Sequence, residues 1–225
     1  MLRRIVSAAV LAGAVSGLLL TAIQQFEIAP LVRMAEVQEE AEIAASNSTN
    51  DPPPSGPARQ AWSPATSTAR LLTAIVSNIV LATGFALILT SAISRKTSVG
   101  WRAGLLWGIA GYAVFFVAPS LGLPPELPGA RAAPLHDREL WWAGTVVLSA
   151  AGLWLVAFSK KSVIRVLGLV LLSLPHAIGA PQPAAHDHSI PAGIAEDFLR
   201  ATYLANAALW LAIGGLCGLF YNIKR

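Results

Sequence analysis

The chain has 225 residues, 55% of them apolar and 12% charged, with a mean hydropathy of +0.59. It is too hydrophobic and too poor in charge for a soluble domain of that length. The net charge of +4 and pI near 9.6 do not call for nucleic acid, since a basic face lying against anionic lipid accounts for both. A lone Cys217 excludes a disulfide framework and a thiolate metal cluster, and is read as a small buried apolar residue.

Taken in chain order, six stretches are long enough to cross roughly 30 Å of hydrocarbon: residues 5–24, 71–93, 103–121, 141–158, 163–179 and 198–221. The first follows Arg3 and Arg4, as an export signal would. However, Gln24, Gln25, Phe26 and Glu27 come after it instead of a small-x-small cleavage site, so a retained helix is expected. The next segment, residues 25–70, divides near Ser46. Its first half carries Glu36, Glu39 and Glu40 at helical spacing and should extend the first helix beyond the membrane, interrupted at Pro30. Its second half, residues 46–64, is rich in Ser, Asn and Pro and reads as a flexible extracytoplasmic linker within a single membrane domain, residues 1–225.

After the third span, residues 122–140 hold Pro124, Pro125, Glu126 and Pro128, which fix a turn-rich path. His136, Asp137 and Glu139 follow, ahead of a Trp141–Trp142 pair suited to an interfacial belt. The fifth span is the shortest and carries Arg165 one turn from its start, where a long side chain can snorkel to the interface. It ends at Pro175 and His176. Beyond it, His186 and His188 flank Asp187; in an extended stretch both imidazoles point the same way and can share one ion. An isolated triplet of this kind is more often a solvated surface loop. His176 is more pointed, because an ionisable side chain at the lip of an apolar span is costly unless partnered or functional; packing on a helix-terminal carbonyl is the plainer alternative.

If the spans alternate, Arg3, Arg4, Arg95, Lys96, Arg102, Lys160, Lys161, Arg165, Lys224 and Arg225 share one face, which the positive-inside rule makes cytoplasmic along with both termini. All twelve acidic residues and all four histidines then lie toward the opposite face. The expected architecture is an all-α polytopic membrane helix bundle. Gly13 with Gly17, Gly104 with Gly108, and Gly214 with Gly218 are GxxxG spacings that mark close helix contacts. Asn78 and Asn206 lie at similar depths in their spans and are expected to hydrogen-bond across helices or to line a polar vestibule.

Two motifs do not follow from generic membrane composition: Ala118-Pro-Ser-Leu-Gly-Leu-Pro-Pro-Glu-Leu-Pro-Gly129 with Arg138-Glu-Leu-Trp-Trp142, and Leu174-Pro-His-Ala-Ile-Gly-Ala-Pro-Gln-Pro183. Together with Pro30-Leu-Val, Ala35 and Glu36, and Pro191, Phe198, Trp210 and Gly214 in and before the last span, they resemble the predicted cobalt transporter (CbtA) family of bacterial membrane proteins. The resemblance implies cobalt uptake in the bacterial cytoplasmic (inner) membrane, linked to cobalamin synthesis, together with a small single-span cobalt transporter partner (CbtB) whose tail is His-rich. Family descriptions often count five spans where the hydropathy reading gives six. Glu139 stands where Gln is expected in that family.

The candidate metal residues carried by matching motifs are Glu36, Glu126 and His176; His186 and His188 lie in a more variable stretch. The expected role is capture of a divalent ion by outward-facing imidazole and carboxylate. Such ligands suit cobalt and nickel, yet would bind copper or zinc more tightly, so selectivity must come from geometry or supply. The metal is cargo, and no permanently bound cofactor is expected. No span carries an acidic residue near its middle and no phosphate-binding GxxxxGK[ST] loop occurs, which favours dependence on a partner chain. Self-association into a homo-oligomer stays open. So do two other functions: a membrane metalloenzyme built on His176, His186 and His188, against which stands the lack of an HExxH spacing, and a scaffold component of a membrane complex. A non-enzymatic role is the expected one.

Overall fold

The computed structural model describes residues 2–48, 67–95, 100–127, 130, 132–183 and 192–223, and among them every regular element is helical. This follows from the solvent. With no water in hydrocarbon to satisfy backbone N–H and C=O groups, an apolar segment must pair them within itself, and a helix does so. The elements are α1 (Leu2–Ile23), a π-helical turn (Gln24–Ile28), α2 (Ala29–Ser48), α3 (Ser67–Ile93), α4 (Trp101–Tyr112), a second π turn (Ala113–Val117), α5 (Ala118–Ser120), α6 (Leu135–Phe158), α7 (Ser162–Ile178) and α8 (Ala192–Ile223).

The two π turns have one cause. Each ends two residues before a proline, Pro30 or Pro119. A proline inside a helix supplies no N–H and its ring presses on the carbonyl four residues back. Here the preceding turn widens: the Ala29 N–H reaches the Gln24 carbonyl and the Ala118 N–H the Ala113 carbonyl, five residues apart in each case. The helix from Leu2 therefore passes through Pro30 without the interruption expected from the sequence and continues to Ser48. Most of the 46–64 linker falls outside the described residues.

Among the described residues, five segments are long and apolar enough to cross a membrane: Leu2–Ala41, Ser67–Ile93, Trp101–Ser120, Leu135–Phe158 and Gly193–Asn222. α7, with 17 residues, is shorter. The topology nevertheless takes it the full height of the bundle. It packs antiparallel on α6: Gly152 and Gly168 face each other near the shared turn, and Trp141 meets His176 edge-on at the far end, with ring centroids 6.2 Å apart. Ala180, just past α7, reaches the same place as Trp141, next to Gly122. At the opposite end the Arg4 side chain donates from Nε to the Tyr221 carbonyl at 3.0 Å and lies 4.2 Å over the Tyr221 ring, so the start of α1 and the end of α8 share one face. Six alternating passages satisfy all of these contacts. One end of the bundle, the basic end, carries Arg3, Arg4, Arg95, Arg102, Lys160 and Lys161; the acidic end carries Glu36, Glu126, Asp137, Glu139, Glu196 and Asp197.

Close approach of backbones holds the helices together. On α4 and α8, Gly104, Gly108, Gly214 and Gly218 interlock so that a Cβ on any of them would collide with the opposite backbone; on Gly218 it would lie 2.8 Å from the Gly100 carbonyl oxygen. α1 and α3 use Gly13 against Thr83 and Gly17 against Ile79, where a Cβ would sit 2.6 Å from the Ile79 Cα. α8 completes the core on the other side of this pair, burying Leu209, Ile213 and Cys217 with Ala9, Ala12, Ala82 and Ala86. Phe85, Phe115 and Trp210 stack where α3, the second π turn and α8 meet, at centroid separations of 4.7 to 5.4 Å.

Two outcomes are expected. Gly108→Leu should lower the thermal unfolding midpoint of the detergent-solubilised protein by several degrees, since overpacking a tight contact costs about 1–3 kcal/mol or more, whereas Gly84→Ala, with nothing within 4 Å of the added carbon, should leave it unchanged. Cysteines introduced at Lys160 and Ala180 should be labelled from opposite sides of the membrane by an impermeant maleimide; labelling from one side would mean that α7 does not cross.

Candidate functional site at the acidic end

Proline and the last turns of the helices shape the acidic end. Past α5 the chain turns on Pro119, whose carbonyl accepts from Gly122 N at 3.1 Å and Leu123 N at 2.9 Å, and Pro124 and Pro125 hold the segment that delivers Glu126. α6 begins at Leu135, so Arg138 and Glu139 lie in its first turns. The loop and the helix start line one cavity of about 580 Å³, with Glu126, Arg138 and Glu139 at its polar rim and Phe115, Phe116 and Trp142 among its apolar walls. Glu126 is not free there: Arg138 Nη2 lies 3.4 Å from its Oε2, and both side chains are 30% exposed.

Glu36 is placed by α2. Its neighbour Ala35 is buried against Leu127 and Phe198, with Leu31, Val32 and Ile194 around them, so the first helix, the Pro-rich segment and the start of α8 meet in a small second core. Glu36 and Glu126 are thus each next in sequence to a residue of the same cluster. Glu36 accepts from Arg70 Nη1 at 3.4 Å across to α3. His176 is exposed in the last turn of α7, its ring edge-on to Trp141 rather than packed on a carbonyl. His186 and His188 lie outside the described residues. Among the described residues no three His, Cys, Asp or Glu side chains come together closely enough to hold a metal ion. The predicted ligands that can be placed share one end of the bundle, and the two carboxylates among them are each held by an arginine.

Sequence reasoning gave less weight to a polar node farther in. Asn78 on α3 donates from Nδ2 to Thr21 Oγ1 at 3.0 Å and to Gln24 Oε1 at 2.6 Å, tying α3 to α1 beside the first π turn. This fulfils the cross-helix expectation for Asn78. Asn206 differs, bonding the Thr202 carbonyl of its own helix at 3.0 Å. The usable signal was Gln24 and Asn78 at matching depths with Pro30 just beyond, which together mark a helix irregularity beside buried amides.

A bundle of long apolar helices with its charges gathered at its two ends and amides in its interior is a polytopic membrane protein. The chain matches, over residues 2–222, the family described as "Probable cobalt transporter subunit (CbtA)", and it belongs to that family. Comparison with curated proteins and with solved structures found no match.

The Glu126–Arg138 pair is partly solvated at both ends and contributes no more than about 1 kcal/mol. Arg138→Gln should therefore shift the unfolding midpoint by only a few degrees at most; a collapse of the fold would show that the pair is structural.

Proposed function

We propose that the chain is the membrane component of a cobalt uptake system, taking the divalent ion at its acidic, outward-facing end. Membership of the CbtA family supplies cobalt transport. The observation that supports capture at this end is the cavity where the Pro124-Pro125-Glu126 segment and Arg138-Glu139 converge. Carboxylates at the membrane surface concentrate cations, and a borderline divalent ion takes both carboxylate and imidazole ligands. The arginines paired with Glu36 and Glu126 hold them at 3.4 Å in partly solvated geometry, weakly enough for a divalent ion to displace them. His176 adds an imidazole to the same end, and His186 and His188, which lie outside the described residues, are the further imidazole candidates on the segment that follows in sequence. In this reading the basic face is cytoplasmic, the membrane is the bacterial inner membrane, the cobalt serves cobalamin synthesis, and a small His-rich single-span protein works with this one. The ion is cargo and leaves the protein on the far side. Nickel is the nearest competitor by ligand preference.

Uptake of radioactive cobalt into vesicles tests this. With the small His-rich partner present, wild-type protein should accumulate cobalt. Glu126→Ala combined with His176→Ala should cut the rate by about tenfold or more, the scale on which removing even an outer-shell partner weakens a metal site. Unchanged uptake in the double variant would overturn capture by these residues. Absence of accumulation by the wild type would overturn the transport reading itself.

A further inference from the structure

The described spans carry no acidic side chain near their middle, so an ion crossing this chain meets neutral groups. On the seam between α1, α3 and α8 those groups are ordered. At the acidic end stands the node of Gln24, Thr21 and Asn78, in which Thr21 Oγ1 also donates to the Gly17 carbonyl at 2.9 Å. Deeper on α1, Ser16 is wholly buried; on α3, Thr83 lies against Gly13, and Thr90, two turns farther on, is wholly buried beside Cys217 of α8. From Asn78, which binds both Thr21 and Gln24, to Thr90 on the same helix the series extends about 18 Å by helical rise, more than half of the roughly 30 Å of hydrocarbon.

Two members of this series stand out energetically. Ser16 Oγ and Thr90 Oγ1 are buried without a nitrogen or oxygen hydrogen-bond partner, Thr90 having only the weakly bonding Cys217 thiol beside it. A hydroxyl in a helix ordinarily donates to the carbonyl one turn earlier, as Thr21, Ser91, Thr145 and Ser173 do here, although Thr202 of α8 and Ser149 of α6, the latter away from the seam, are also buried unpaired. Leaving a buried hydroxyl unpaired costs about 1–3 kcal/mol, and simple packing would be served as well by alanine, which fills the adjoining positions Ala9, Ala12, Ala82 and Ala86.

We propose that the α1–α3–α8 seam is the route by which the metal ion crosses the membrane, with the Asn78–Thr21–Gln24 node as its constriction at the acidic end. The inference rests on the transport reading above and places the crossing within this chain. Neutral amide and hydroxyl oxygens replace part of an ion's hydration shell without retaining it as a carboxylate would, which is what conduction demands. The seam is shut in this conformation, Gly13 and Gly17 pressing on the α3 backbone. The π turn of Gln24–Ile28 adjoins the node and supplies a helix irregularity where α1 can part from α3.

Cys217 is a native reporter, since its side chain is wholly buried near the basic end of the series, with Sγ 3.7 Å from the Ala86 carbonyl oxygen. Vesicles holding the full chain and its small partner are exposed to silver ion in chloride-free medium, and unblocked Cys217 is counted with a maleimide after denaturation; cobalt uptake is measured in parallel. The expected result is that silver blocks Cys217 and excess cobalt slows the block. Asn78→Leu should slow both silver block and cobalt uptake about tenfold, a change of about 1.4 kcal/mol. Asn78→Gln should restore them, and Asn206→Leu should change neither. Vesicles that accumulate cobalt while Cys217 stays unreactive, or in which folded Asn78→Leu transports normally, overturn the route and leave the transport reading intact. Silver block without cobalt accumulation supports an ion route along the seam and overturns cobalt transport. Should Asn78→Leu fail to fold, the wild-type reaction of Cys217 decides.

Discussion

The closeness of α8 to its neighbours is the constraint on which the bundle depends. Lipid tails are as apolar as leucine, so burying apolar side chains drives helices together only weakly in a membrane, and association comes from close packing of backbones. α8 meets α4 along Gly214 and Gly218 while packing small residues of α1 and α3 on another side. Because those approaches leave no room for a Cβ, the relative height of the helices is fixed as well as their contact. That registration brings Arg4 to the end of α8 at one mouth and Ala35, Leu127 and Phe198 together at the other.

Proline does the complementary work. In water a proline within a helix costs about 3 kcal/mol or more; here Pro30 and Pro119 are each absorbed by a π turn that keeps the helix running. One such turn lies beside the Asn78 node and the other contributes Phe115 and Phe116 to the acidic-end cavity. Both irregularities therefore sit where polar or open regions adjoin the packed interior. The charges follow the same division of labour. Most basic residues gather at the end where α8 is clamped, and the carboxylates at the end where the cavity opens, some of them paired there with Arg70 and Arg138, so the two ends differ in electrostatic potential.

Hydropathy made the helices legible, together with their alternation and the separation of acids from bases, because each depends on local composition. It was less informative for α7. Seventeen residues fall short of the usual span, and only the placement of Ala180 and His176 beside Gly122 and Trp141 shows that the helix reaches the acidic end of the bundle. The GxxxG pairs identified three contact faces but not their partners. The α6–α7 contact through Gly152 and Gly168 escaped notice because it uses one glycine on each helix and leaves no spacing within either. The candidate site was legible only as residue types gathered at one end. That Arg70 and Arg138 would hold Glu36 and Glu126, and that Glu139 would share a cavity with Glu126, was not, since these pairings depend on how separate segments fold back on one another.

The sequence by itself determined that this is an all-α membrane protein with opposite charges at its two ends, because hydrophobicity, helix formation in lipid and charge bias are set over a few turns of chain. Only the tertiary structure decided which carboxylate meets which arginine, which amide crosses to which helix, and where hydroxyls are left without partners. Those are properties of distances between helices, fixed by glycine contacts that no single stretch of sequence contains.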